Sequence, residues 1–142
     1  MAMKFLVFYL MFISFLFGGS FARDDGRDVV VDNLHNLVWQ DDVFSATQKL
    51  SFKNGVAYCH TLALSDMREW RLPTPIELGS LVDTTRTPTI ESAFKHSADG
   101  GYWTDGKSAS GNELEWVDFT FGTYHKGDGY GKAMFVRCVR NK

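Results

Sequence analysis

The sequence predicts a single domain of the α+β class, with two helices and several short strands. Apolar residues recur at helical spacing from Phe52 to Ala63, and Thr74 begins a second helical pattern. Segments rich in β-branched and aromatic residues predict strands near both ends, around 29–39 and 114–139. About 120 residues follow the apolar N-terminal segment, which is the size of one domain with one core.

The first 22 residues are predicted to be a cleaved secretory signal peptide. Lys4 precedes an apolar run from Phe5 to Phe17, and the small-x-small sequence Ser20-Phe21-Ala22 provides a cleavage site. A membrane anchor is the alternative, but the run is shorter than the roughly 20 apolar residues that span a bilayer. We therefore expect a mature domain of residues 23–142, without a membrane span, in the periplasm or the medium of a bacterium.

The acidic balance of the chain argues against nucleic acid as a partner. The full sequence has 15 Lys and Arg against 17 Asp and Glu. Loss of the signal segment would remove only Lys4, so the mature domain would be slightly more acidic. Nucleic-acid-binding domains usually carry a clear basic excess instead.

The chain has two cysteines, Cys59 and Cys138. An even number in a small exported domain favours a disulfide, and two buried thiols or a redox or metal pair are the alternatives. Ser51 can cap the first helix, on which Phe52, Val56 and Cys59 share the apolar face. A disulfide would therefore join this helix to the terminal strand.

The stretch WRLPTPIE, from Trp70 to Glu77, predicts a rigid corner between the two helices. Trp70 and Leu72 alternate with a polar residue, as on a short extended segment with one buried face, and Pro73 ends that segment. Thr74 then caps the second helix, and Glu77 completes a capping box.

Two hairpins are predicted from the strand patterns. The first pairs Val29–Val31 with Leu37–Trp39. The second pairs LEWVDFTFG with AMFVRCVR through a glycine-rich connection at 123–132, and a polar surface loop at 84–101 precedes it, pinned by two apolar side chains. The two apolar side chains of the loop are Ile90 and Phe94. On the hairpin's first strand, one face carries Val117, Phe119 and Phe121. On its closing strand, Met134, Val136 and Cys138 share one face, and Phe135, Arg137 and Val139 share the other.

Six landmarks in order, LVWQDD, AYC, WRLPTPIELGSLVD, YWT, VDF and VRCVR, resemble the Lcl C-terminal domain family, also called DUF1566. The resemblance runs from about Val29 to Arg140. It places the chain in the C-type-lectin-like and formylglycine-enzyme-like superfamily, and it implies two helices around a small twisted, mainly antiparallel sheet with long loops and close termini. It also implies a disulfide between Cys59 and Cys138. The residues that mark the core of this fold are Trp39, Trp70, Leu72, Pro73 and Trp103.

A binding module is the function that this resemblance favours, because stable scaffolds of this kind present variable loops to ligands. The candidate surfaces are the loops at 84–101 and 123–132. The second combines aromatic and hydrogen-bonding side chains suited to a glycan or a protein, although a solvated hairpin loop explains each of them equally simply. The candidate binding residues are Tyr124, His125, Lys126, Asp128, Tyr130 and Lys132.

Known members of the family act in adhesion and binding at the cell surface, including binding to anionic polysaccharides. The negative charge of this chain does not favour a polyanion, and its basic residues are expected to be scattered, solvated charges. These residues are Arg68, Arg71, Arg86, Lys95, Arg137, Arg140 and Lys142. An envelope protein is the alternative partner, and a homo-oligomer would strengthen weak glycan binding through multivalency.

An enzyme of the formylglycine-generating kind is a remote alternative. That chemistry needs two accessible cysteines that hold copper, whereas Cys59 and Cys138 are predicted on core faces. We expect no enzymatic activity and no cofactor.

No metal site is expected either. The chain lacks the Glu-Pro-Asn, Gln-Pro-Asp and Trp-Asn-Asp motifs of calcium-dependent lectins. The acidic and histidine residues show no recognised ligand spacing. They include Asp83, Asp99, Asp105 and Asp128, and His35, His60, His96 and His125.

Overall fold

A computed structural model describes residues 20–142 of the chain. Most of the predicted signal peptide lies outside these described residues. The predicted α+β class is confirmed, with a third, short helix in addition to the two expected ones. In chain order the elements are β1 (Phe21–Asp24), β2 (Val29–Asp32), β3 (Leu37–Gln40), α1 (Phe44–Thr47), β4 (Lys49–Ser51), α2 (Phe52–Thr61), α3 (Pro75–Gly79), β5 (Gly101–Lys107), β6 (Leu114–Asp118), β7 (Thr123–Gly127), β8 (Ala133–Phe135) and β9 (Val139–Asn141).

The strands form two sheets rather than the single sheet expected. The first has the order β1-β2-β3-β9, with all neighbours antiparallel. The predicted hairpin between β2 and β3 is confirmed, with Val30 opposite Trp39. The first and last described strands lie at the two edges of this sheet. The C-type-lectin-like classification stays a prediction.

The second sheet has the order β4-β8-β5-β6-β7. Its neighbours are antiparallel except β5 and β8, which run parallel. The predicted hairpin between β6 and the closing strand is therefore wrong, because β5 lies between them and β7 is the partner of β6. Gly122 explains the error: its φ of 70° permits a tight turn, and its N–H donates to the carbonyl of Asp118 at 2.8 Å. Phe121 consequently lies in the turn and is 73% exposed, instead of continuing the buried face of the strand.

The first predicted helix and its covalent link are confirmed. The hydroxyl of Ser51 accepts from the N–H of Asn54 at 3.2 Å and caps α2, whose Cys59 is buried. Cys59 is bonded to Cys138, 79 residues away. Closing a loop of that length removes unfolded-chain entropy worth roughly 4.5 kcal/mol in the chain-entropy model.

The corner before α3 is held by two arginine–glutamate hydrogen bonds as well as by the capping box. Thr74 and Glu77 exchange both capping hydrogen bonds, as predicted. Arg71 also donates to the two carboxylate oxygens of Glu77 at 2.7 and 2.9 Å. Burial would raise the pKa of Glu77, but the hydrogen bonds from Arg71 and Thr74, with the arginine charge, hold that pKa below its usual value.

The C-terminal strand segment separates two apolar clusters. Phe135 and Val139 belong to the cluster around Trp39, whereas Met134 and Val136 belong to the cluster around the disulfide. The predicted alternation of this segment is therefore confirmed. The other fold-marking side chains, Trp70, Leu72, Pro73 and Trp103, are also buried, as are the loop residues Ile90 and Phe94.

Arg137 corrects the expectation that the basic residues are solvated charges. Its side chain is 0% exposed, and its Nη1 donates to the carboxylate of Asp41 at 3.1 Å and to the carbonyl of Gln40 at 2.6 Å. Its Nη2 donates to the hydroxyl of Ser97 at 2.9 Å, and the guanidinium lies 4.6 Å from the ring centroid of Phe94. Sequence alternation grouped this residue with Phe135 and Val139 on one face of the strand, but it gave no sign of a buried partner.

Asp41 is the centre of this network. Its carboxylate also accepts from the backbone N–H groups of Lys95 and His96, at 2.9 and 3.0 Å, and from Arg23 at 2.7 Å. One buried carboxylate thus fixes β1, the end of β3, the long loop and the C-terminal segment relative to one another. Hydrogen bonds to the remaining polar atoms offset the cost of burying this ion pair, and of the pair's side-chain atoms only Nε of Arg137 lacks a partner within the described residues.

The N-terminal strand bears on the predicted cleavage site. Phe21 and Ala22 pair with Asp32 and Val31, and the ring of Phe21 lies 6.1 Å from that of Phe94. Cleavage after Ala22 would therefore remove two of the four β1 residues. Among the helices of residues 20–142, none is long and apolar enough to cross a membrane.

We predict that a chain beginning at Arg23 is less stable than one beginning at Ser20. The shorter chain loses two strand pairs and the half-buried Phe21, so its free energy of unfolding should fall by about 1–2 kcal/mol. Chemical denaturation of both chains measures the difference, and Phe21→Ala in the longer chain isolates the side-chain part. Equal stability of the two chains would show that β1 contributes nothing.

We also predict that Asp41→Asn costs about 3–5 kcal/mol of folding free energy, because it leaves the buried Arg137 without a counter-charge. Arg27→Gln is the control, since Arg27 pairs with Asp24 at the surface at 3.7 Å and such pairs contribute about 0–1 kcal/mol. Denaturant titration compares the two variants. A similar cost for both would mean that burial of the Asp41 pair carries no special weight.

Candidate binding site

The six predicted binding residues lie on one strand and one loop, not on a single loop. Tyr124, His125 and Lys126 are on β7, at the edge of the second sheet, and the remaining three are in the connection to β8. The β7 strand is exposed along almost its whole length. The remaining three are Asp128, Tyr130 and Lys132.

The strand pairing divides the β7 residues between two faces of the sheet. His125 lies opposite Trp116, so these two side chains share a face. Tyr124 and Lys126 point to the other face, where Lys126 lies opposite Glu115. The structure therefore does not bring all six predicted residues together.

One face carries a row of rings across three strands. Trp103 meets Trp116 edge-on with centroids 6.1 Å apart, and Trp116 stacks on His125 at 5.7 Å with an interplanar angle of 9°. The ammonium group of Lys132 lies 5.0 Å from the Trp116 ring centroid. The row begins in the core at Trp103, which is fully buried, and ends in solvent at His125. It offers a stacking surface flanked by a cation.

The opposite face is organised by one hydrogen bond. The phenol of Tyr124 donates to the carboxylate of Glu115, and this bond, ahead of burial and the carboxylate charge, raises the pKa of Tyr124 to about 12. Tyr124 remains 54% exposed. Its hydroxyl is already engaged, so this face offers mainly the ring to a ligand.

The 128–132 connection packs on the face of the sheet that carries the row of rings. A Cβ on Gly129 would lie 2.8 Å from an atom of the Trp103 indole, so only glycine permits this close approach. The backbone N–H of Tyr130 donates to the carboxylate of Asp128 at 3.3 Å, and its hydroxyl donates to the carbonyl of Gly111. Asp128 therefore shapes the connection, while Tyr130 joins it to the loop between β5 and β6.

A cleft of about 350 Å³ opens between α2 and this connection. Phe52 and Val56 of α2 form an apolar floor, and Lys53, Lys107 and Tyr130 complete the lining. The ammonium group of Lys107 lies 5.3 Å from the Phe52 ring centroid. An apolar floor with a few hydrogen-bond donors is the usual composition of a small-molecule site.

Sequence reasoning found only Tyr130 among the residues that line this cleft. Phe52 and Val56 were correctly assigned to the apolar stripe of α2, and nothing in the spacing shows that the stripe extends past the core to the surface. Lys107 is 54 positions after Lys53 in the chain. Only the packing of α2 against the second sheet brings these two lysines together.

The other expected surface, the loop at 84–101, is anchored to the fold at several points. Its N–H groups bind Asp41, and the carboxylate of Asp83 accepts from the N–H and hydroxyl of Thr85 at 3.0 and 2.6 Å. Within residues 20–142, no group of three or more His, Cys, Asp or Glu side chains could hold a metal ion. Both cysteines are in the disulfide.

We predict that Gly129→Ala lifts the 128–132 connection off the sheet. The new methyl group would overlap Trp103 and press on Leu114 at 3.2 Å, which should cost about 1–3 kcal/mol and alter tryptophan fluorescence. Gly131→Ala is the matched control, because a Cβ there meets nothing within 4 Å, and a change within about 0.5 kcal/mol is expected. Identical fluorescence and stability in both variants would contradict the close packing of Gly129.

Comparison with known proteins gives a match to one family model. Neither a curated protein nor a solved structure matches the chain significantly. The family model of the Lcl C-terminal domain matches residues 28–140, a range that contains all three helices and every described strand except β1 and the last residue of β9. The chain therefore belongs to the Lcl C-terminal domain family.

Proposed function

We propose that this chain is an exported, non-enzymatic binding module whose cleft between α2 and the 128–132 connection holds a glycan. The observation that carries the proposal is the composition of the cleft. Phe52 and Val56 offer an apolar floor to the C–H face of a sugar ring, and Lys53, Lys107 and Tyr130 surround that floor with donors for its oxygens.

The neighbouring aromatic row extends the same surface. Tyr130 and Lys132 belong to one short connection, so a chain of sugars leaving the cleft could continue past Lys132 toward the exposed ring of His125. Aromatic rings provide contact area at little entropic cost, which suits an uncharged, hydroxyl-rich ligand. The three lysines of this surface also allow an acidic sugar, despite the negative charge of the whole chain.

Export and the absence of enzymatic activity are parts of the same proposal. The predicted signal peptide and a disulfide between the only two cysteines support an oxidising compartment. The same disulfide leaves no thiol for the copper chemistry of formylglycine-generating enzymes. A binding role fits a site that consists of rings, ammonium groups and a phenol.

We expect binding to an array of immobilised glycans to depend on this cleft. Tyr130→Ala and Lys53→Gln should each weaken binding to any glycan retained, by about tenfold for the tyrosine, because truncated aromatic contacts commonly cost more than 1 kcal/mol. Lys126→Gln is the control, since Lys126 is on the opposite face of β7. If the control weakens binding as much as the cleft variants do, the ligand binds elsewhere.

Binding of an envelope protein is the second candidate, and the open edge of β7 favours it. Five consecutive residues of this strand lie at the sheet edge, where an added strand could pair with its free backbone groups. Lys126→Pro would remove one backbone donor and leave the cleft unchanged. Loss of a partner from envelope extracts in this variant, with no glycan retained by the unaltered chain, would favour the protein partner.

A further inference from the structure

A second cleft, of about 200 Å³, shares no residue with the first. Glu69 and Arg71 line it from the corner before α3, and Arg140 and Asn141 line it from β9. Two backbone hydrogen bonds between Arg71 and Val139, at 2.9 and 2.8 Å, hold these distant parts of the chain together. The cleft is therefore built on paired backbone and not on a free loop.

The guanidinium of Arg140 is oriented from two sides. Its Nε donates to the carbonyl of Arg68 at 2.8 Å, and its central carbon lies 6.0 Å from the ring centroid of Trp70. The terminal Nη1 and Nη2 make no hydrogen bond or ion pair with the described part of the chain. A positioned guanidinium with free terminal donors is suited to bind an oxyanion through two parallel hydrogen bonds.

Arg71 and Asn141 complete the donor set. Arg71 is engaged by the two oxygens of Glu77, and its Nη2 also donates to the side-chain oxygen of Asn141 at 3.3 Å. Because this contact assigns the oxygen of Asn141 as an acceptor, the amide nitrogen of that side chain remains a donor, and Asn141 lines the same cleft as Arg140.

The charge of the lining limits the ligand. Arg71 is already paired with Glu77, so the free charges of the lining are the guanidinium of Arg140 and the carboxylate of Glu69. Glu69 has a φ of 64°, and within residues 20–142 its carboxylate forms no ion pair with either arginine. A ligand with one negative charge can pair with Arg140, whereas the second charge of a dianion would be repelled by Glu69.

We propose that this cleft binds the carboxylate group of a small ligand. Arg140 donates two parallel hydrogen bonds to the carboxylate oxygens, and the side-chain amide of Asn141 donates a third. The site is independent of the proposed glycan cleft, so either can exist without the other.

The test compares N-acetylglycine with N-acetylglycinamide, which differ only in the carboxylate. Each is titrated into the protein while the Nε–H signal of Arg140 and the side-chain amide signal of Asn141 are followed by nuclear magnetic resonance. We expect saturable shifts of both signals with N-acetylglycine, and at least fivefold weaker binding of the amide. Equal binding of the two compounds, or no saturable shift with either, overturns the proposal without any variant.

Two variants and one further anion locate the site and its preference. Arg140→Gln should weaken N-acetylglycine binding at least fivefold, measured from the side-chain amide signal of Asn141. Arg86→Gln is the control and should leave binding unchanged. The Nε of Arg86 also donates to a backbone carbonyl, but Arg86 does not line the cleft. If inorganic phosphate binds more tightly than N-acetylglycine, the assignment to a carboxylate is wrong.

Discussion

The buried pair of Asp41 and Arg137 is the interaction on which the rest of the structure depends. Both side chains are fully excluded from solvent, and together they bind backbone or side-chain groups from β1, β3, the long loop and the C-terminal segment. Taking two charges out of water is expensive, and the cost is offset only because almost every polar atom of the pair has a partner. The long loop thus has a defined path although it contains no helix or extended strand.

This network also explains how two sheets can share one small domain. The segment that contains Arg137 passes from β8, in the second sheet, to β9, in the first. Side chains before and after Arg137 alternate between the two apolar clusters, so the segment lies between them. The disulfide at Cys138 joins this segment to α2, and the hydrogen bond from Arg137 joins it to β3 at the adjacent position.

The sequence predicted those parts of the fold that depend on neighbours in the chain. The caps at Ser51 and Thr74, the first hairpin and the alternation of the closing strand are set by contacts over a few residues, and all are confirmed. The pairing of β6 with β7 was missed because a glycine-rich segment resembles a loop until Gly122 is known to close a turn. The partner of Arg137 was missed because it is 96 residues away.

The candidate sites were harder to predict for the same reason. Tyr130 and Lys132 were found because aromatic and basic residues among glycines suggest a binding surface, but the floor of the cleft belongs to a helix whose apolar stripe looks like ordinary core. The polar cleft joins Glu69 to Asn141, which only the antiparallel contact at Val139 brings together. Composition can indicate that such residues exist, and tertiary packing alone decides which of them meet.

The late position of residues 133–141 within the domain has a consequence for the order of folding. These residues complete both sheets, supply Arg137 for Asp41 and carry the second cysteine, so neither apolar cluster can close before this segment has been synthesised. The preceding part of the domain therefore lacks its closing strands while it is being made. If the chain is exported as proposed, a domain that closes late can cross the membrane unfolded and then fold where its cysteines can be oxidised.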